Sequence, residues 1–301
     1  MREPSYIRTY REGRLQEKIL QALNHLQRCD LCPRECHVNR YTDERGICRT
    51  GRYAIVASIH AHYGEETPLV GRGGSGTIFF SSCNLLCSFC QNYEISHLME
   101  GRETGPGELA AMMMALQDRG CHNINFVTPT HVTAQILESL PIAIEAGLNV
   151  PLVYNCGGYE KKETIKLLEG IVDIYMPDFK FWYPESGEAF CRAPEYRMQA
   201  SVAIREMHRQ VGDLEIDEEG VAVRGLLVRH LVMPGRANES EEIMKFLAAL
   251  SKDTYVNIMD QYRPCGMAIK DPNLGRRTNR SEWSAACRSA MDAGLHRLDK
   301  E

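Results

Sequence analysis

No run of apolar residues in this sequence is long enough to cross a bilayer, so it offers no membrane-spanning helix. The N-terminal stretch, M-R-E-P-S-Y, lacks the apolar core of a secretory signal, and the expected location is the cytoplasm. Excess charge of one sign is scarce as well. A formal net charge of -5 is too mild to point to nucleic acid or an anionic membrane as partner. The basic stretch G-R-R-T-N-R (275–280) lacks the larger field and interleaved aromatics of a nucleic-acid groove, and reads as a solvated loop.

Cysteine, by contrast, is abundant, with 12 in 301 residues. Lasting disulfides are rare in a reducing compartment, where clustered thiols more often bind metal or react. The cysteines fall into three sets. Cys29, Cys32, Cys36 and Cys48 form an N-terminal group, Cys83, Cys87 and Cys90 form a second, and Cys121, Cys156, Cys191, Cys265 and Cys287 are scattered. A hydrophobic content of 44% with 25% charged residues matches a soluble globular protein with a sizeable core. The length suits one large domain with a small appendage, or two ordinary domains.

Leu15, Ile19, Leu20, Leu23 and Leu26 recur at helical spacing and predict an amphipathic helix over about 14–27. From Gly76 onward, short apolar runs alternate with helical patterns. The runs are T-I-F-F (77–80), I-N-F-V (124–127), P-L-V-Y-N (151–155), V-D-I-Y-M (172–176), G-L-L-V-R-H-L-V (225–232) and Y-V-N-I-M (255–259). Helices are predicted over 108–119, 134–146, 161–168, 194–210 and 241–250. Six strands alternating with helices predict parallel βαβ units of an α/β fold. A partial (β/α)6 barrel is preferred, with an open doubly wound sheet as the competing fold. The expected division is residues 1–70 for the N-terminal helix and four-cysteine module, and 71–301 for the barrel.

Chemistry in such barrels sits at the C-terminal strand ends. Here those ends carry C-N-L-L-C-S-F-C (83–90), T-P-T-H (128–131), N-C-G-G-Y (155–159), P-D-F-K (177–180), V-M-P-G (232–235) and M-D-Q-Y-R-P (259–264). The glycine run G-R-G-G-S-G (71–76) precedes the first strand rather than following it, so it reads as a flexible entry loop and not as a nucleotide-binding turn.

Three thiolates spaced C-x3-C-x2-C directly after a strand suit a [4Fe-4S] cluster held by three irons, with the fourth open to a small molecule. A structural zinc site wants four ligands, and no fourth cysteine is near in sequence; the alternatives are three buried structural cysteines, or zinc with a distant fourth ligand.

C-N-L-L-C-S-F-C resembles the signature of radical S-adenosylmethionine (SAM) enzymes. The fuller likeness is to homologues of the pyruvate formate-lyase activating protein. It is carried by G-R-G-G-S-G-T-I-F-F-S-S-C-N-L-L-C-S-F-C-Q-N-Y-E-I-S, N-F-V-T-P-T-H, D-I-Y-M-P-D-F-K and V-R-H-L-V-M-P-G, and spans about residues 76–262. The N-terminal C-D-L-C-P-R-E-C resembles the same subgroup. The resemblance implies a partial barrel of the radical SAM type, a [4Fe-4S] cluster and SAM as cofactors. It also implies an oxidoreductase reaction in which one electron cleaves SAM to methionine and a 5′-deoxyadenosyl radical, which takes hydrogen from a substrate.

Carried over by position, Cys83, Cys87 and Cys90 are the cluster ligands and Phe89 packs against adenine. Asn92 is the polar residue near SAM. The family's Gly-Gly-Glu at the second strand end is replaced by Thr128, Pro129, Thr130 and His131, whose hydroxyls and imidazole remain as SAM contacts without a carboxylate. Asn155 ends strand three. Asp178 and Lys180, two residues apart and so on one side of a strand, are expected to hold SAM or substrate and to take part in catalysis, with a surface ion pair as the bland alternative. His230 matches a catalytic position near SAM, or is a satisfied core histidine. Gln261 and Tyr262 end strand six and are expected at the substrate pocket.

Cys29, Cys32, Cys36 and Cys48 supply four thiolates, the complement of structural zinc or of an auxiliary iron–sulfur cluster. The scattered cysteines read as buried small hydrophobes, although Cys156 and Cys265 lie at strand ends where a thiol can face substrate. The methionines of 112–114 read as helix core. The expected activity is glycyl-radical formation on a partner protein. The alternative is modification of another protein, a peptide or a small molecule, with flavodoxin or ferredoxin as the class of reductant. A non-catalytic iron–sulfur electron carrier and a zinc-dependent binding module are the readings from outside this class.

Overall fold

The apolar runs expected to be strands are buried on both faces. Every residue of Ile124–Val127, Leu152–Cys156 and Ile174–Pro177 is buried, the pattern of parallel strands covered by helices. In the computed structural model, which describes residues 2–299, these segments belong to one nine-stranded sheet of a mixed α/β fold. In chain order the strands are β1 (Ala54–His62), β2 (Ser75–Phe80), β3 (Arg102–Thr104), β4 (Ile124–Val127), β5 (Leu152–Cys156), β6 (Ile174–Pro177), β7 (Glu215–Ile216), β8 (Ala222–Leu231) and β9 (Tyr255–Met259).

Six strands run parallel in the order β2-β4-β5-β6-β8-β9. They are the six expected from sequence. Their connections contain the helices Pro106–Asp118, Thr133–Glu145, Lys162–Leu167, Tyr196–Val211 and Ala237–Leu250, each within a few residues of its predicted span. Because every crossover returns the chain to the same end of the sheet, all six C-terminal strand ends share one edge.

Three strands extend this frame. β1 pairs antiparallel with β2, β3 with β1, and β7 with β8. β1 lies in a stretch for which no strand was expected. The helices Ser5–Arg11, Pro184–Cys191 and Arg280–Ala293 are likewise additional. Helix Arg14–Asn24 buries Leu15, Ile19 and Ala22 and packs on Thr133–Glu145. The buried Asp173 accepts from the amides of Ser5 (2.8 Å) and Leu152 (3.1 Å), which ties the N-terminal helices to the sheet.

The glycine run before β2 is a tight crossing. A Cβ on Gly73 would stand 1.8 Å from the carbonyl oxygen of Gly120, so only glycine lets these backbones pass. His122 Nε2 accepts from the amides of Arg72 and Gly73. Among the described residues no helix is long and apolar enough to cross a membrane.

Candidate active site and cysteine centres

The shared C-terminal edge opens onto a cavity of about 720 Å³. Its wall contains Cys83, Cys87 and Cys90 after β2, Thr128 after β4, Asn155 and Cys156 at the end of β5, and Asp178 and Lys180 beyond β6. Arg229 of β8 and Gln261 beyond β9 complete it. Phe89 and Asn92 also line it, with Phe89 edge-on to Phe181 at 5.8 Å. Tyr262 packs behind Phe89, and its hydroxyl donates to Leu274 O at 2.7 Å.

The loop after β2 turns sharply to present its sulfurs. Ser82 and Leu86 take left-handed backbone angles, φ 70° and 50°, strained for residues with a side chain. The Leu85 amide donates to Cys83 Sγ at 3.3 Å, and Ser96 Oγ donates to Cys90 Sγ at 3.1 Å. All three thiols are free. Burial pushes Cys83 up to about 12, with Cys87 adding to the shift, so the fold favours its neutral thiol. A fourth thiol does come near. Cys191, 104 positions later, donates to Cys87 Sγ at 3.3 Å, but it does not line the cavity.

A buried charge cluster faces these sulfurs. Asp178 is held by the Lys180 ammonium and by Arg229 Nε at 2.8 Å. Burial alone would raise the Asp178 carboxyl; Arg229 and Lys180 overcome this and hold it below its ordinary value. Burial likewise opposes the charge on Lys180, yet Asp178 keeps its pKa raised. Arg229 Nη2 also donates to Asn155 Oδ1 at 2.7 Å. Arg229 was missed from sequence, although it is the neighbour of a residue singled out there. Glu65 and Glu66 approach Arg229 only to 4.0 and 3.9 Å. Burial, then repulsion from Glu66, pushes Glu65 up to about 7.

Four expected site residues are placed elsewhere: Tyr262, buried behind Phe89 and not in the cavity wall, and three more. His230 alternates with Arg229 along β8 and so points to the opposite face. It is buried, with Nδ1 bonded to Phe179 O and Nε2 to Ser240 Oγ, both at 2.8 Å. Thr130 and His131 are carried behind β4 because Thr128 turns the chain with φ 62°. Thr130 donates to Glu160 at 2.5 Å. His131 Nε2 donates to Ser81 O at 2.9 Å, and burial lowers its pKa to about 4.

His131 instead lines a second, enclosed void of about 10 Å³, together with Cys29, Cys32, Cys36 and Cys48. Ile47 N donates to Cys36 Sγ at 3.4 Å. A Cβ on Gly46 would come within 2.6 Å of Cys36 Sγ, so glycine lets the chain close over that sulfur. Arg40 also lines the void. It is only 1% exposed, donating to Gly51 O (2.8 Å) and His131 O (2.7 Å), and has no carboxylate partner among the described residues. Its Nη2 and the Nδ1 of His131 are buried without a hydrogen-bond partner. Among the described residues no group of three or more His, Cys, Asp or Glu side chains stands as a ready-made metal-ion cage. Cys29, Cys32, Cys36 and Cys48 line the one void, and Cys83, Cys87 and Cys90 the other cavity.

The chain is 34% identical over 288 residues to the uncharacterized protein MJ0674 of Methanocaldococcus jannaschii, an alignment covering 92% of this chain and 78% of that one. No family model matches.

Proposed function

We propose that this chain, which belongs to one family with that archaeal protein, is a radical SAM enzyme built on a partial (β/α)6 barrel. One observation carries the reading: the three sulfurs of C-x3-C-x2-C and the polar strand ends line a single cavity. The donor set suits a [4Fe-4S] cluster, since iron–sulfur centres take thiolates whose sulfurs accept hydrogen bonds, as Cys83 and Cys90 do. When bound, such a cluster would supply the one electron that cleaves SAM to methionine and a 5′-deoxyadenosyl radical, and it is that radical which would take a hydrogen atom from the substrate.

The chain's own residues bind and orient. Lys180 and Arg229 present buried cations suited to a carboxylate, and Asp178 keeps both in place. Phe89 offers an aromatic ring to adenine, and Thr128 and Asn92 offer polar groups in the same cavity. The carboxylate lacking at the end of β4 is supplied by Glu65 and Glu66, which suit an ammonium group. The substrate class is a partner protein that receives a glycyl radical, with another protein, a peptide or a small molecule as the alternative.

A second reading has one contact in its favour. Cys191 beside Cys87 would give a fully ligated cluster and an electron carrier. Its place outside the cavity favours the enzyme. The test is anaerobic reconstitution with iron and sulfide, reduction, and addition of SAM. The enzyme reading expects 5′-deoxyadenosine and a changed electron paramagnetic resonance (EPR) signal, both retained in Cys191→Ala and lost in Cys87→Ala. A cluster whose EPR signal ignores SAM in the wild type, and changes in Cys191→Ala, makes the protein an electron carrier.

A further inference from the structure

The N-terminal centre carries a charge argument that its cysteine spacing does not. Arg40 is buried against the four-thiol void, its side chain bonded among the described residues to two carbonyls, with Nη2 unpartnered. A buried guanidinium without a counter-charge is costly. Four thiolates on one divalent ion form a net negative centre and remove that cost. The void holds about 10 Å³, the room of roughly one water molecule. A single ion fits this space.

The same module grips the loop that bears the other three cysteines. Arg34, between Cys32 and Cys36, donates from Nε to Asn84 O at 3.0 Å and from Nη2 to Cys191 O at 2.7 Å. Arg49, next to Cys48, donates to His97 O at 2.6 Å. Cys48 O accepts from Ser82 Oγ, and Arg40 holds His131, which in turn holds Ser81 O. In each contact the module's own member lies within two positions of a cysteine of that group, or acts through Arg40.

We infer that Cys29, Cys32, Cys36 and Cys48 take one thiophilic divalent cation of the zinc class, and that this ion shapes the loop carrying Cys83, Cys87 and Cys90. The second clause draws its importance from the function proposed above. The four sulfurs draw inward on the ion, and Arg34, Cys48 and Arg49 transmit their positions to the loop.

The test separates this inference from that function. The full chain with Cys83→Ala, Cys87→Ala and Cys90→Ala should bind a single zinc ion and no inorganic sulfide, by elemental and sulfide analysis. In the wild type, stripping that zinc with a chelator under reducing conditions should speed amide hydrogen exchange across residues 82–98 about tenfold, the factor expected for losing one charge-assisted hydrogen bond. Restoring zinc should reverse it. Arg34→Gln combined with Arg49→Gln keeps all four thiols, so it should retain zinc and still exchange faster across 82–98. Sulfide-containing iron in the triple variant, no metal there, or unchanged exchange after stripping overturns the inference. A wild type that never cleaves SAM sinks the proposed reaction and leaves these exchange results standing.

Discussion

The two cysteine centres differ less in their sulfurs than in what surrounds them. After β2, three thiols line a cavity of about 720 Å³ beside a buried charge cluster. Near the N-terminus, four thiols line a void of about 10 Å³ beside one unpaired guanidinium. The donor set is one short where there is room for a small molecule, and complete where there is none. Catalytic metal sites keep a position open and structural ones fill it, so under the proposed function the volume around the donors would sort the two centres as their number does.

The comparison breaks most sharply by exchanging lesions. Cys90→Ser should reduce 5′-deoxyadenosine formation to background while zinc content stays, whereas Cys36→Ser should lose zinc first; product and metal assays on both variants decide. The charge cluster comes next. Arg229→Met leaves Glu65, Glu66 and Asp178 facing Lys180 alone, and should cost about 3–5 kcal/mol in urea unfolding, the range for an uncompensated buried charge. Mild acid should restore part of it by protonating carboxylates.

Glu160 lies behind the open centre, fully buried, and receives hydrogen bonds from Thr130 and Tyr154. Burial raises it from 4.5 to about 7 against those bonds. The fold therefore favours the protonated acid: its contribution is whole below the unfolded value and is lost as pH rises through about 7. Between about pH 5 and about pH 7 the wild type should lose on the order of 2 kcal/mol more stability than Glu160→Gln. At the closed centre, Gly46→Ala should cost about 2 kcal/mol through overpacking against Cys36, with weaker zinc retention on dialysis. The smallest effect is at Thr128, a β-branched residue at φ 62°. Thr128→Gly should relieve strain and raise the urea midpoint by about 1 kcal/mol of stability, while weakening SAM binding in a direct binding assay.

Much of the frame was legible in the sequence because buried parallel strands read as unbroken apolar runs, and I-N-F-V became β4 without any shift of boundary. β1 was missed because A-I-V-A-S-I-H-A-H mixes small and polar residues on a half-exposed strand. The last helix had a readable start, since Asn279 and Glu282 form a capping box. At the site, the same-side spacing of Asp178 and Lys180 held. The positional reading of His230 pointed to the wrong face of β8, and the alternation that turns His230 away is what brings Arg229 in.

The sequence by itself determined the sulfur count at each centre and the alternation of strand and helix, because ligand spacing and side-chain periodicity are local properties. Tertiary structure alone decided that Arg229 meets Asp178, that Cys191 meets Cys87, and that Arg40 faces four thiols without a carboxylate. The first two contacts join residues far apart in the chain, and the third depends on which neighbours the fold withholds. No local pattern encodes either, because burial and its missing counter-charges exist only once the whole chain has folded.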